Sequence, residues 1–173
     1  MIEVTFDQVG ARKSTKDVGF EDAIQGRIES DLATEAGDFV LRRADGLFAY
    51  QLAVVVDDAD AAITHVVRGA DLLLSTARQI HLQQCLGVPT PVYAHLPVAV
   101  NLAGEKLSKQ TLAMALDSAH PLPALLAALD FLGQQPPADL AHGTVAELWA
   151  WAVANWRLER VPRGPATAPA TMA

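Results

Sequence analysis

Two lysines frame a serine in Glu105-Lys106-Leu107-Ser108-Lys109-Gln110, a combination able to grip a polyphosphate and follow it through a reaction. The apolar run Val92-Tyr93-Ala94-His95-Leu96-Pro97-Val98-Ala99-Val100 reads as one buried strand ending at Asn101. Asn101-Leu102-Ala103-Gly104 then supplies turn chemistry that carries the lysines past the strand's C-terminal edge, where open α/β sheets bind ligands. A solvated basic loop is the commoner fate of two neighbouring lysines taken alone.

Other reactive residue types carry weaker signals. Asp57 and Asp58 invite a metal or general-base reading, but paired acids at an element boundary commonly cap a helix or fix a turn, and that structural role is expected. No two histidines have helical metal-binding spacing, so no protein metal site is expected, and His65 and His95 read as satisfied polar residues. Cys85 is the single cysteine; it cannot form an internal disulfide or a zinc cage and reads as a small core residue. Trp149 and Trp156 are seven apart on one helix face, which suits core packing or contact with an RNA stem, with packing favoured.

The elements that must position these residues follow from periodicity. Ile2, Val4 and Phe6 alternate with polar neighbours as a half-buried strand does, and residues 10–19 read as a polar loop. Residues 24–32 read as either a second strand or a short helix, and Phe39-Val40-Leu41 follows a turn at Ala36-Gly37. Asp45-Gly46 marks another turn. The run Tyr50-Gln51-Leu52-Ala53-Val54-Val55-Val56 is strand or buried helix, since periodicity cannot separate the two, and it is expected to end at Asp57-Asp58.

Ile63-Thr64-His65-Val66-Val67 reads as a central strand closing at Arg68-Gly69. The helix after it takes Asp71 or Ser75 as N-cap, Leu74, Ala77, Ile80 and Leu82 as apolar positions, and Gly87 with Pro89 as its stop. With the run at 92–100, this gives the βαβ pattern of a parallel sheet. The fold class expected is therefore α/β, one half of a doubly wound nucleotide-binding sheet, followed by helices over 123–132 and 144–158 with the breaker Gly133-Gln134-Gln135-Pro136-Pro137 between them. Residues 161–173, rich in Pro, Ala and Thr, are expected to be a disordered tail.

Composition bounds the function. A chain of 173 residues, 51% hydrophobic, can bury one good core. No uninterrupted apolar run reaches spanning length, and Glu3 and Asp7 stand where a secretion signal would be basic, so a cytoplasmic location is expected. A net charge of -7 argues against nonspecific nucleic-acid binding; any RNA contact must be local, at Arg42-Arg43, at Lys106 and Lys109, or along Arg157, Arg160 and Arg163.

Taken in order, Asp45-Gly46-Leu47-Phe48-Ala49-Tyr50, Val54-Val55-Val56-Asp57-Asp58, Ile63 to Asp71, His95-Leu96-Pro97 with Asn101, and Lys106-Leu107-Ser108-Lys109 resemble a class I aminoacyl-tRNA synthetase of the glutamyl type. The lysine loop is similar to that class's second signature, KMSKS. Val54 and Gln110 resemble the version in a shortened branch of the family that attaches glutamate to the queuosine base of tRNA(Asp). The resemblance implies a ligase that uses ATP with magnesium, with glutamate and queuosine-carrying tRNA(Asp) as partners, working as a monomer. It makes Lys106 and Lys109 catalytic, adds Ser108 to them as an ATP contact, and makes Arg68 and Tyr50 glutamate ligands.

The HIGH-like first signature and the Cys-rich zinc site of that family have no counterpart in the sequence. The resemblance therefore casts the chain as the C-terminal portion of such an enzyme, with zinc expected only in the full-length family. On this view residues 1–47 are a remnant of the β-containing connective insertion. Residues 48–110 are the C-terminal half of the Rossmann-like catalytic domain, and 111–160 are helices that contact a tRNA stem. A catalytically silent fragment or tRNA-associated subunit needing a separate N-terminal half, and a fragment of a tRNA(Glu)-charging enzyme, are the alternatives.

Overall fold

The computed structural model describes residues 2–4, 17–107, 117–164 and 166–167. The chain divides into two compact units, Met1–His95 and Leu96–Ala173, so the division falls inside the 48–110 segment expected as one domain.

In the first unit, β1 (Ile2–Val4) pairs antiparallel with β4 (Phe39–Arg42). A second sheet has the order β3-β2-β6-β5, built from β2 (Asp17–Asp22), β3 (Gly26–Asp31), β5 (His65–Gly69) and β6 (Val92–Leu96). β2 runs antiparallel to β3 and parallel to β6. The mixed α/β class is as the sequence implies, and α3 (Leu73–Leu86) is the crossover between β5 and β6.

β2 corrects the loop expected to 19: its residues alternate outward and inward, burying Val18, Phe20 and Asp22. Asp22 then makes the turn into β3, its Oδ1 accepting the amides of Ile24 (3.0 Å) and Gln25 (2.8 Å), and Gly26 completes it at φ 81. Residues 24–32 thus give a strand, and Leu32 is fully buried as the first residue of the short α1 (Leu32–Glu35).

The ambiguous run from Tyr50 is a helix, α2 (Tyr50–Asp60). It does not stop at Asp57-Asp58; both acids lie in its last turns and cap nothing. β5 is an edge strand among the described strands, not a central one. α3 is entered through a 3-10 turn at Ala70–Leu72, and no side chain caps it, so neither Asp71 nor Ser75 is its N-cap. Its buried face carries Thr76, Ala77, Gln79, Ile80, Leu82 and Gln83, whereas Leu74 is exposed. Gly87 ends it in the left-handed region at φ 67, as expected. Val18, Phe20, Leu32, Ala77, Ile80 and Tyr93 form the core of this unit. Cys85 is exposed on the outer face of α3, contrary to the core role expected.

The apolar run to Val100 proves to be two strands, interrupted after Leu96. β7 (Ala99–Val100) pairs in parallel with β8 (Ala166–Thr167), outside the four-stranded sheet. Pro97 lies at the break, having no N–H to offer a ladder. The reading of 161–173 as a disordered tail is corrected at two places, since Val161 is buried and Ala166–Thr167 are paired.

Helices α4 (Leu122–Phe131) and α5 (Val145–Asn155) meet at a core of Leu129, Leu148 and Ala152. Thr144 starts α5 with a capping box: its hydroxyl accepts from the Glu147 amide while the Glu147 carboxylate accepts from the Thr144 amide. Trp149 and Trp156 are both exposed, which overturns the packing role; Trp151 is the tryptophan that packs against this core.

Candidate functional site

Arg68 is the second-to-last residue of β5, where the strand emerges beside the start of the crossover helix. Its guanidinium is half-buried and held on several sides. Nε donates to His95 Nε2 at 3.1 Å, and Nη2 donates to Thr76 Oγ1 at 2.8 Å and Gln79 Oε1 at 2.6 Å. Its Cζ stands 5.3 Å from the centroid of the Tyr93 ring, a cation–π distance. Thr76 and Gln79 share one face of α3 at helical spacing, and both are buried. Gln79 in turn donates to Gln51 Oε1 at 2.8 Å, which ties the network to the first turn of α2, where Tyr50 is exposed. The network from Arg68 thus reaches Gln51, the residue next to Tyr50, through Gln79.

His95 lies on β6 and is fully buried, a satisfied polar residue as expected. Its Nδ1 is 2.5 Å from Asp22 Oδ2, and its amide donates to Asp22 Oδ1 at 3.1 Å. Burial raises the Asp22 pKa, but the amide of Gln25, the His95 ring and further amides outweigh it, and the net position is below 3.8. The His95 pKa falls below 6.5, first through burial and further through the nearby Arg68 cation, against the pull of Asp22. Tyr93 is pushed up by burial, and its hydroxyl accepts from Gln83 at 2.9 Å.

Asp22, Thr76, Gln79 and Gln51 were not singled out by sequence. The available signal was polar side chains at core-facing positions: Asp22 in the alternation of β2, and Thr76, Gln79 and Gln83 along the inner face of α3. His65, by contrast, is exposed and bonds only its neighbour Thr64 among the described residues.

The lysine loop begins as a tight hairpin. Asn101 Oδ1 accepts the amides of Ala103 and Glu105, each at 2.9 Å, and Gly104 turns at φ 81. Lys106 bridges antiparallel to Val100, and the Leu107 amide donates to the Ala99 carbonyl at 2.9 Å. The turn chemistry is as expected, but the strand feeding it is β7 and not a continuation of the four-stranded sheet. Lys106 is exposed; Ser108, Lys109 and Gln110 lie outside the described residues.

Among the described residues no group of three or more His, Cys, Asp or Glu side chains is arranged to hold a metal ion, and no helix is long and apolar enough to cross a membrane. An apolar cleft at the C-terminal end of α2, lined by Val55, Ala59, Ile63 and Pro91, contains neither Arg68 nor Tyr50.

Residues 9–138 match the family model for class I tRNA synthetases (E and Q), catalytic domain. The chain belongs to this family. Within the class I synthetases, it is 64% identical over 146 residues to the glutamyl-Q tRNA(Asp) synthetase of Aromatoleum aromaticum, covering 84% of this chain and 46% of that protein. The protein of the same name from Dechloromonas aromatica is 59% identical over 152 residues, with 88% and 50% covered. The chain spans about half the length of the curated relatives it matches. Among solved synthetases, glutamate-tRNA synthetase from Elizabethkingia anophelis superposes with a TM-score of 0.66 at 26% identity, over 90% of this chain and 35% of that one.

Proposed function

We propose that this chain carries the glutamate-binding and pyrophosphate-releasing parts of a ligase that activates glutamate with ATP and transfers it to the queuosine base of tRNA(Asp). The supporting observation is a half-buried guanidinium, held in place from three sides, in a chain 64% identical to a relative named for that reaction. With Nε and Nη2 engaged, Nη1 of Arg68 is the nitrogen that meets a carboxylate in a charge-assisted hydrogen bond, which suits glutamate and disfavours neutral glutamine. Tyr50 adds a phenol hydrogen bond from the start of α2.

In the activation step a glutamate carboxylate oxygen attacks the α-phosphate of ATP. The bond to the leaving pyrophosphate breaks, and glutamyl-adenylate forms. Negative charge moves onto the leaving group, where Lys106 and Lys109 neutralise it, with Ser108 adding a hydroxyl contact. Transfer to queuosine then releases AMP. On this reading residues 1–47 correspond to part of the connective insertion and 111–160 to the region that meets a tRNA stem.

Glutamate-dependent exchange between pyrophosphate and ATP tests the proposal, measured on the chain alone and with a polypeptide supplying the remaining segments of the relatives. The expected result is exchange that falls roughly a hundredfold in Lys109→Ala and loses glutamate affinity in Arg68→Ala. Exchange indifferent to both substitutions sinks it. Charging of tRNA(Glu) in place of queuosine-tRNA(Asp) would favour the reading suggested by the solved glutamate-tRNA synthetases.

A further inference from the structure

Asp22 and His95 take no part in the roles above, yet both are buried and bonded to each other behind Arg68. The hydrogen-bond pattern determines where the imidazole proton sits. His95 Nε2 faces Arg68 Nε–H at 3.1 Å, which can only donate, and Thr76 Oγ1 at 3.0 Å, whose hydroxyl can also donate to it, so Nε2 presents its lone pair. The proton is therefore on Nδ1, donated to Asp22 Oδ2. Asp22 is itself pinned, because its Oδ1 accepts the amides of Ile24, Gln25 and His95. A charged imidazole would place an N–H against the N–H of Arg68, with two cations side by side in the interior.

We infer that Asp22 acts through the Nδ1–H tautomer of His95 as a positioning device for Arg68, holding Nε and Nη2 inward so that Nη1 is presented to a substrate carboxylate. The carboxylate, imidazole and guanidinium form one line of donors and acceptors. Thr76 and Gln79 fix the rotation about that line by occupying Nη2. The geometry stands without reference to substrate; its consequence for binding rests on the glutamate reading of Arg68. The downward shift of the His95 pKa, from burial and then from Arg68, accords with a neutral ring.

The test is nitrogen-15 NMR of the histidine and arginine side chains in the full 173-residue chain, with glutamate titrated as the probe. In the wild type His95 should show a protonated Nδ1 and an unprotonated Nε2; the opposite tautomer overturns the inference without any variant. In Asp22→Asn the amide oxygen can still accept the main-chain amides, but its NH2 faces Nδ1 and drives the proton to Nε2. The Arg68 Hε signal should then shift or broaden, and glutamate affinity should fall about tenfold or more. His95→Gln offers Arg68 an acceptor that does not depend on Asp22, so adding Asp22→Asn to it should change affinity little further. Additive losses in the pair, or an Asp22→Asn spectrum like wild type, overturn the inference. A switched tautomer with glutamate binding unaffected by both Asp22→Asn and Arg68→Ala upholds the positioning of Arg68 and removes glutamate as its ligand.

Discussion

A guanidinium bonded through Nε and Nη2 to an imidazole, a hydroxyl and an amide cannot be replaced by an ammonium of equal charge. In Arg68→Lys a single point donor cannot reach His95, Thr76 and Gln79 together, and buried acceptors lose their partner. We expect a stability loss of about 1–3 kcal/mol and glutamate binding no better than in Arg68→Ala, checked by urea unfolding and titration calorimetry; wild-type affinity would argue that charge alone matters. At this scale Arg68 and Tyr50 were singled out through the family resemblance, and His95 was judged a satisfied polar residue, as its hydrogen bonds bear out. The sequence reading missed Asp22, Thr76 and Gln79 because their role arises from packing across β2, β6 and α3, which lie far apart in sequence. Cys85 was misjudged for a related reason: nothing local to α3 says which face the sheet covers.

Elements were legible where punctuation marks them. Gly87 and Gly46 sit where the turn signals put them, and the helix expected from 144 begins with a capping box of Thr144 and Glu147 that had not been singled out. Gly87→Ala should lower stability by about 1 kcal/mol, since nothing lies within 4 Å of an added Cβ and only the left-handed backbone at φ 67 opposes it. A urea midpoint equal to wild type would mean that the end of α3 relaxes freely. Leu148→Ala, at a fully buried position between α4 and α5, should cost about 2–5 kcal/mol, read in the same way. β2 was hidden because its inward face carries a carboxylate: the pattern Val18, Phe20, Asp22 breaks apolar alternation at the residue His95 requires. The run from Tyr50 was ambiguous because its apolar residues satisfy either period. As a helix it buries Val55 and leaves Val56 exposed, a one-sided burial that tertiary contacts alone decide.

Across the whole molecule, buried titratable groups should make the fold acid-sensitive. His95 and His81 both have pKa values lowered from 6.5, in each case chiefly by burial. The unfolded chain therefore takes up protons first as pH falls through 6.5. The stability due to their neutral forms is full above that point and declines below it until the folded values are reached. The slope is at most about 1.4 kcal/mol per pH unit for each group. Asp22, lowered from 3.8, adds a second loss at more acid pH. Urea midpoints should be lower near pH 5 than near pH 7; equal or higher midpoints would contradict neutral, buried imidazoles. Length and composition allow one well-buried domain without excluding an incomplete second, and the chain has two compact units dividing after His95. Cys85, the single cysteine and an exposed one, has a practical consequence. A maleimide dye or nitroxide will attach at one known point, on the helix that also supplies Thr76 and Gln79, so spectroscopy can follow that helix in the unmutated chain.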